Sequence, residues 1–494
     1  MILLNHNDIK TIIYHIIMES FKKTQLLEMC EQIGISKCKS KTKEELISLI
    51  EAKQLTNNTI VTSTSVTDTQ MVSTPIVAQL QTVAHLQTVA SLQTVTHLTV
   101  AETFVGCGGS HFGFKKSGYK SVFVNDIWYD AIKTLQQNDD NLNENEVICD
   151  DIYKIDADYF KQRNIQANNV DVFIGGVVCK GFSLAGIRNP YDERNYLYLQ
   201  QLRLVGVMRP KISIIENVPG MLNMKILSRD NNEEIKSLCA ELNTICEKHK
   251  KVRGRLIAEK KKQSSGTDNS ATIENTKAEM EVLSQQRKDM EDQLEEYKYS
   301  VVEHIEQLYT ELGYDVYKQV LMCSDYGCFT NRQRLFIVAV RKDLGITWRY
   351  PEPFTKENKP TVKNAFDLID YNGINNPSID IDNRPMNHSS STVEKFKKIA
   401  SGGKAEDGYF SRGTSSRLAF DKPAPTLVPG HSAFQVHPVE HRSITVREGA
   451  TLTGFNTNFK FYGSHTSRCM QIGNAIPVNM AYIMAEQCKS ILQV

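Results

Sequence analysis

The sequence lacks the features that mark several common classes of protein. Its 11 cysteines contain no Cys-x-x-Cys pair and no metal-ligand spacing, so we expect neither a disulfide framework nor a metal site. No apolar run approaches the length of a membrane span, and the first residues lack the layout of a signal peptide. These absences predict an intracellular protein with free thiols in a reducing compartment, and no membrane partner.

The sequence also has no excess of positive or negative charge, since the formal net charge is only +1 across 494 residues. The whole molecule therefore carries no basic signal, and any surface for nucleic acid would have to be a local patch. The length allows two or three domains with a sizeable core.

From Val100 onward the chain has the texture of an α/β fold. Short apolar runs alternate with amphipathic helical patterns, as expected for buried strands joined by helices. The predicted strands lie at 100–105, 121–124, 170–174, 212–215 and 335–340. The segment 342–440 loses this rhythm and becomes irregular, and the α/β texture returns over 441–494.

Two further segments precede the α/β region. Residues 1–53 contain helical patterns around a basic loop and resemble SAP-like nucleic-acid-binding modules; a packing or partner module is the alternative. Residues 54–99 hold a six-residue Leu-Gln-Thr-Val repeat of low complexity. Three such copies bury too little surface to offset their ordering entropy, which predicts a linker.

An insert at 230–300 interrupts the α/β region. Apolar residues follow a 3-4 spacing from Ile235 to Leu256 and again from Met280 to Val301, and the polar stretch 264–270 separates the two halves. This pattern predicts an antiparallel coiled-coil hairpin, with a possible coiled-coil partner.

A glycine-rich turn follows the first predicted strand. Phe104 ends the strand, and Gly106, Gly108 and Gly109 would let the backbone approach a ligand closely. The next strand ends at Asp126-Ile127, where an acid suits the hydroxyls of a ribose. These residues are consistent with an adenosine-containing cofactor.

A third strand end, Asp151-Ile152, could lie near an adenine amino group, although Asp151 could equally be a solvated strand end.

A thiol and a carboxylate follow two later strands. Cys179 lies in the glycine-flanked run Gly175-Gly-Val-Val-Cys-Lys-Gly181, and Glu216 opens the triplet Glu216-Asn217-Val218. The carboxyl ends of strands in one α/β sheet are where such sheets bind ligands. A thiolate there is a good carbon nucleophile, and Glu216 could protonate a ring nitrogen.

Two arginines and a second glycine turn complete the set. Arg332 and Arg334 alternate just before a predicted strand, so both could orient Glu216 or grip phosphate. Near the C-terminus, Gly473-Asn474-Ala475 enters a helix in a way suited to closing a cofactor pocket.

Taken in order, these motifs resemble those of the cytosine-5 DNA methyltransferase family over about 100–230 and 300–490. The resemblance assigns a cofactor-binding set and a catalytic set. The first comprises Phe104, Gly106, Gly108, Gly109, Asp126, Ile127, Asp151, Ile152 and Asn474. The second comprises Cys179, Glu216, Asn217, Arg332 and Arg334.

The resemblance implies a Rossmann-like lobe that binds S-adenosyl-L-methionine (AdoMet), here 100–341, and a smaller target-recognition lobe, here 342–440. The segment 441–494 returns to the catalytic lobe. It also implies duplex DNA as partner, a DNA-containing compartment, and a cytosine flipped out of the duplex. Cys179 would attack C6, Glu216 would protonate or hydrogen-bond N3, and C5 would take the methyl group.

The nucleophile loop departs from the family pattern. The family usually has Pro-Pro-Cys-Gln-Gly-Phe-Ser, whereas this chain has Val177-Val-Cys-Lys-Gly-Phe-Ser183. Without prolines the loop has no fixed φ before the thiol, and Lys180 places a cation beside it. The alternatives are a catalytically weak or inactive member that binds DNA or AdoMet, and an RNA cytosine-5 methyltransferase.

Overall fold

The structure is a computed structural model that describes part of the chain. The described residues are 35, 38, 41–43, 45–46, 48–49, 97–167, 169–177, 193–227, 233–373, 380–405, 416–427 and 434–492. The chain divides into two units, Met1–His97 and Leu98–Val494. The predicted linker at 54–96 and most of the predicted helical module lie outside the described residues. Within that module Lys43, Glu45, Leu46, Ser48 and Leu49 are helical, inside or beside the helix predicted at 44–52.

The second unit contains strands of very different lengths. They are β1 (Thr99–Thr103), β2 (Lys120–Asn125), β3 (Val147–Ile148), β4 (Val172–Gly175), β5 (Ile212–Asn217), β6 (Lys225–Leu227), β7 (Lys298–Ser300), β8 (Tyr314–Met322), β9 (Thr330–Asn331), β10 (Gln333–Arg341) and β11 (Ala424–Pro425).

Helices alternate with these strands, as the sequence predicts. They are α1 (Gly109–Lys116), α2 (Tyr129–Gln136), α3 (Ala157–Gln162), α4 (Leu197–Met208), α5 (Glu233–Ser264), α6 (Ser270–Gln293), α7 (Val301–Glu311), α8 (Val362–Phe366), α9 (Ser390–Lys397), α10 (Val446–Thr453), α11 (His465–Asn474) and α12 (Val478–Leu492). None of the helices in the described part of the chain combines the length and apolar character needed to cross a bilayer.

A seven-stranded sheet has the order β3-β2-β1-β4-β5-β10-β8. Strands β1 to β5 pair in parallel, whereas β10 runs antiparallel to both β5 and β8. The chain crosses from β1 to β2 on one side and returns to β4 on the other. A crevice therefore opens beyond the carboxyl ends of β1 and β4, where such sheets bind ligands.

The sheet confirms the predicted α/β class, including the predicted strands that became β1, β2, β4, β5 and β10. Strand β8 was not predicted. It lies at the edge of the sheet, and its residues between the buried Tyr314 and Leu321 are exposed or half-buried. It therefore lacks the continuous apolar run of β10, which is buried almost throughout.

Helix α12 packs closely against α1 on one face of the sheet. A Cβ atom built at Gly109 would lie 2.4 Å from the carbonyl oxygen of Ile476, and one at Gly113 would lie 2.5 Å from the Cβ of Ala481. Two glycines on one side of α1 therefore allow this approach. It places the C-terminal segment directly against the turn that follows β1.

A hydrophobic cluster joins the C-terminal region to the irregular segment that precedes it. Its members include Phe366, Leu418, Phe434, Leu452 and Phe455. Arg417 is buried within this segment and donates hydrogen bonds to the carbonyl oxygens of Phe396, Ile399, His437 and Glu440. The Arg417 guanidinium thus connects four carbonyl groups of this irregular backbone.

The insert forms the expected pair of helices. The residues buried between α5 and α6 include Leu242, Ile245, Val252, Leu283 and Met290, all on the predicted seam. The prediction was wrong about Tyr297 and Val301. Helix α6 ends at Gln293, after which the chain turns and pairs β7 with β6, so these two residues lie outside the helix. The supercoiling of the pair stays a prediction.

Candidate active site

The turn after β1 carries unusual backbone angles. Phe104 has φ 53°, Gly106 has φ 56° and Gly108 has φ 98°. A positive φ is costly for phenylalanine, so the surrounding structure must hold Phe104 in place. Apart from its two chain neighbours, no described residue has an atom within 4 Å of a Cβ atom built at Gly106, so the backbone of the turn is open on that side in the described part of the chain.

Asp126 is bound directly to this turn. Its Oδ2 accepts the N–H of Gly106 at 2.8 Å, and its Oδ1 accepts the N–H of Trp128 at 2.9 Å. Burial raises the pKa of the Asp126 carboxyl. The adjacent Ile127 side chain is 70 % exposed, which is unusual for isoleucine and leaves an apolar surface beside the carboxylate.

Asp151 and Ile152 lie at the start of a 3-10 turn after β3. Asp151 accepts the N–H of Tyr153 at 3.1 Å, and Ile152 is buried. Arg203 of α4 donates to the carbonyl oxygen of Ile152 at 2.9 Å. The sequence offered no signal for Arg203, because α4 contributes it from a distant part of the chain.

The ends of β4 and β5 meet the turn after β1. A Cβ atom built at Gly176 would lie 3.4 Å from Oε2 of Glu216 and 3.6 Å from the carbonyl oxygen of Phe104. Asn217 is buried, and its Nδ2 donates to the carbonyl oxygen of Val177 at 3.1 Å. Cys179 lies outside the described residues, but the described chain leads to within two residues of it beside Glu216.

Glu216 forms an ion pair with Arg334. The Arg334 Nε lies 2.5 Å from the Glu216 Oε1, and the two side chains are only 9 % and 14 % exposed. Register explains the contact, since Phe336 of β10 pairs with Glu216 of β5 and Arg334 lies two residues before it. Charge thus holds the Glu216 carboxylate beside the Arg334 guanidinium in a site shielded from solvent, although Oε1 has no hydrogen-bond partner among the described residues.

Arg332 has different partners. It is buried, and its Nη1 and Nη2 atoms donate to the carbonyl oxygens of Gly473 at 2.9 Å and Asn474 at 3.3 Å. The side chain of Asn474 is exposed. The two arginines therefore connect β10 to two predicted parts of the site, the Glu216 carboxylate and the C-terminal turn.

The C-terminal turn reaches the turn after β1 as well. The Cys107 thiol donates to the carbonyl oxygen of Gln471 at 3.6 Å, and Gly109 lies against Ile476. Close packing thus explains the glycine at position 109. An unusual backbone conformation does not, because the φ angle of Gly109 is not positive.

A buried ionic network below the turn was not predicted. Glu102 of β1 lies 2.9 Å from Nδ1 of His111, and Asp139 lies 2.7 Å from Nε2. Ser110 donates to Glu102 at 2.6 Å, and Lys115 pairs with Asp139 at 2.5 Å. The sequence did contain one signal for this network, since Glu102 lies inside the apolar run Val100–Val105 and a buried carboxylate requires a partner.

The network determines the charge of the imidazole. Burial disfavours the charged ring, but hydrogen bonds and ion pairs with Asp139 and Glu102 outweigh burial and raise the pKa of His111 to about 9. Burial also opposes ionisation of Asp139, yet its contacts with His111 and Lys115 hold the pKa of that carboxyl well below its usual value.

Comparison with known proteins identifies a family that matches most of the second unit. The sequence profile of the family described as C-5 cytosine-specific DNA methylase matches residues 98–246 and 290–490. The unmatched interval between these ranges falls inside the helix pair formed by α5 and α6.

Two curated relatives align along most of their own length. The Type II methyltransferase M.DdeI of Desulfomicrobium norvegicum is 25 % identical over 442 residues, which cover 79 % of this chain and 88 % of the relative. M.Eco47II of Escherichia coli is 27 % identical over 417 residues, covering 80 % and 79 %.

A solved structure shares the fold. It is a DNA modification methyltransferase encoded within an E. coli prophage, at 21 % identity and a TM-score of 0.51, with 80 % of this chain and 100 % of that chain covered.

Proposed function

Because the chain belongs to the C-5 cytosine-specific DNA methylase family and is thus an AdoMet-dependent DNA cytosine-5 methyltransferase, we propose that Cys179 is its nucleophile and Glu216 its acid. The observation that carries this proposal is the meeting of three segments. Gly176 leads toward Cys179 and lies beside Glu216 and Phe104, and Asn217 holds the carbonyl group of Val177.

The proposed reaction takes place on a cytosine that has left the base stack, since its ring edge is unreachable inside the duplex. The Cys179 sulfur forms a bond to C6 while Glu216 donates a proton or a hydrogen bond to N3. Electron density then moves to C5, which acquires the methyl group. Loss of the C5 proton to a base restores the double bond as the bond between sulfur and C6 breaks.

The residues around the first turn fit AdoMet. The turn is open beside Gly106, the Asp126 oxygens keep free lone pairs for ribose hydroxyls, and exposed Ile127 offers an apolar surface to a purine. When bound there, the cofactor supplies an electrophilic methyl group. Asp151 and Ile152 would line the adenine side, and Arg203 would hold that turn in place.

The arginines position other groups. Arg334 directs the carboxylate of Glu216 toward the base, and Arg332 holds the turn at Gly473 and Asn474 that closes the cofactor crevice. Asn217 fixes the start of the nucleophile loop through the Val177 carbonyl group. This support offsets part of what the loop loses without its prolines.

Target recognition belongs to 342–440 in this proposal. Short helices and irregular backbone in this segment are held by Arg417, which suits loops that read base edges from a fixed support. The duplex would lie across the carboxyl edge of the sheet, next to Glu216.

Trapping of the covalent adduct tests the nucleophile. Duplexes of random sequence that contain 5-fluorocytosine block the final step, because fluorine cannot leave C5 as a proton does. We expect the chain and AdoMet to give a complex that survives denaturing electrophoresis, and Cys179→Ala to give none. Cys149→Ala, which alters an exposed cysteine, is the matched control and should form the complex. A complex with Cys179→Ala would contradict the assignment.

A further inference from the structure

The helix pair leaves the catalytic unit at the edge where the reaction takes place. Strand β5 ends at Asn217, a 3-10 turn covers Pro219–Asn223, and β6 then leads to α5. The base of the pair is tied to this unit, since Val301 donates to the Met224 carbonyl oxygen at 3.0 Å and the Tyr196 hydroxyl donates to that of Leu227 at 2.8 Å.

The far half of α5 carries a dense set of cations, which we name the basic stretch. Its members are Lys248, Lys250, Lys251, Arg253, Arg255, Lys260, Lys261 and Lys262, and all are exposed. Glu247 and Glu259 are the acidic residues among them. This stretch lies inside the interval that the family profile does not match, so the family's shared chemistry does not account for it.

Internal contacts account for only part of the basic stretch. Lys250 pairs with Glu247 at 3.7 Å, Arg255 with Glu279 at 2.7 Å, and Lys262 with Glu259 at 2.6 Å. Within the described parts of the chain, the other five members have no ion-pair partner, namely Lys248, Lys251, Arg253, Lys260 and Lys261.

The helix dipole explains the lysines near the C-terminal end of α5 but not those in its middle. Cations stabilise a helix only within its last turn, which covers Lys261 and Lys262. Lys248, Lys251 and Arg253 lie more than two turns earlier, where they repel one another. Their accumulation in a chain of net charge +1 indicates a local surface for a polyanion.

We propose that the basic stretch binds the phosphate backbone of the substrate duplex outside the target site. This inference rests on the proposed function, which brings duplex DNA to the same edge of the sheet. Helix α5 has 32 residues, so it is about 48 Å long and could reach past about a dozen base pairs. Lysines on an exposed helix offer charge without base readout, so the contact would add affinity and no sequence preference.

The test is the salt dependence of binding to duplexes of two lengths. The variant Lys248→Gln/Lys251→Gln/Arg253→Gln removes three exposed cations of α5 that have no ion-pair partner among the described residues. A long duplex spans the site and the helix pair, whereas a short one covers the target site alone. On the long duplex we expect the variant to reduce the slope of log K against log salt by about 2 to 3. On the short duplex we expect no change.

A control for the number of removed charges replaces three cations at the opposite edge of the sheet, of which Lys211 pairs with Asp171 and Lys342 with Asp315. Lys120 begins β2, Lys211 precedes β5, and Lys342 follows the antiparallel strand β10. The triple Lys→Gln variant at these positions should bind both duplexes like the unmodified chain. An equal loss in this control would show a general charge effect and overturn the proposal.

Other outcomes also decide the matter. An unchanged slope for the α5 variant on the long duplex would overturn the proposal and leave a protein or RNA partner for the basic stretch. A reduced slope on both duplexes would place the contact at the target site and equally overturn it. Methyl transfer to saturating short duplex should be unaffected by the variant. Failure of the proposed function would appear separately, as absence of transfer by the unmodified chain.

Discussion

At the scale of single residues, the ion pair between Arg334 and Glu216 connects the fold to the chemistry. Replacing Arg334 with lysine keeps the charge but removes the planar guanidinium that directs the carboxylate. We expect Arg334→Lys to lower kcat by at least about tenfold, which is part of the roughly 10²- to 10⁴-fold that a well-placed acid contributes, and to leave AdoMet affinity unchanged. Steady-state kinetics and calorimetric titration with AdoMet measure the two effects.

The control for this substitution lies at the other end of the same strand. Arg341 pairs with Asp343 and donates to the Arg209 carbonyl oxygen, far along β10 from Glu216. Arg341→Lys should leave kcat unchanged. Equal effects of the two substitutions would mean that Arg334 acts through the stability of β10 and not through Glu216.

His111 makes a second residue-scale prediction, on pH. Its folded pKa of about 9 lies above the ordinary 6.5, so its ion pairs stabilise the fold fully below about pH 6.5. That stability, roughly 3 kcal/mol at most, is lost as the pH rises toward 9. We expect the free energy of unfolding to fall over this range in the unmodified chain.

The matched variant for this prediction is His111→Gln, which keeps hydrogen bonding but cannot carry charge. It should be destabilised by about 3 kcal/mol or more near pH 6, because Glu102 stays buried without the imidazolium and Asp139 keeps only Lys115. It should also lose the fall in stability between pH 6.5 and 9. Chemical denaturation at several pH values measures both. An identical pH profile in the two proteins would contradict the assigned network.

At the scale of elements, the space around a helical glycine decides what an alanine does to stability. We therefore predict opposite outcomes for a glycine packed between α1 and α12 and for one in α5. At Gly113 a Cβ atom would meet Ala481 and the backbone of Tyr482 within 2.6 Å. Gly113→Ala should therefore destabilise the fold by about 1 to 3 kcal/mol through overpacking. At Gly254, within α5, no atom of the described residues beyond its own stretch of helix lies within 4 Å of the added methyl group. Gly254→Ala should stabilise that helix by about 0.5 to 1 kcal/mol.

Thermal denaturation of the two alanine variants measures this contrast. Destabilisation by both substitutions would show that helix α5 has a neighbour at Gly254 in solution. Stabilisation by both would mean that α1 and α12 are separated further than the structure shows.

The strands and helices also show how much of the fold could be predicted from the sequence. Strands β4, β5 and β10 were predictable because they are buried on both faces and thus continuously apolar. The edge strand β8 was not, because its exposure follows from its place in the sheet. Glycine at position 109 was expected to serve the cofactor turn, and only the structure shows Ile476 against it.

At the scale of the whole molecule, the motif order indicated the site, but long-range contacts had to come from the fold. The sequence predicted that Arg332 and Arg334 could both orient Glu216. In the structure Arg334 pairs with Glu216, whereas Arg332 donates to Gly473 on the C-terminal turn, a contact that residue spacing did not indicate. The segment 342–440 carries no periodic pattern, and in its described part Arg417 joins the carbonyl oxygens of Phe396, Ile399, His437 and Glu440 across irregular backbone. Such contacts cannot be deduced from residue spacing.

The helix pair provides a prediction about the whole molecule. Replacing 233–293 by a short glycine and serine linker keeps β6 and β7, whose pairing closes the base. Because the cofactor residues lie on other elements, we expect AdoMet affinity to be unchanged and the salt slope on long duplexes to fall. Loss of AdoMet binding would show that the pair is part of the catalytic fold.

The measurement that tests the account most directly is transfer of a labelled methyl group from AdoMet to duplex DNA. We predict label in cytosine with the unmodified chain, none with Cys179→Ala, and normal label with Cys149→Ala. The absence of label from the unmodified chain, with AdoMet still bound, would contradict the account. It would mean that the loop Val177-Val-Cys-Lys180 no longer supports catalysis and that the protein acts by binding.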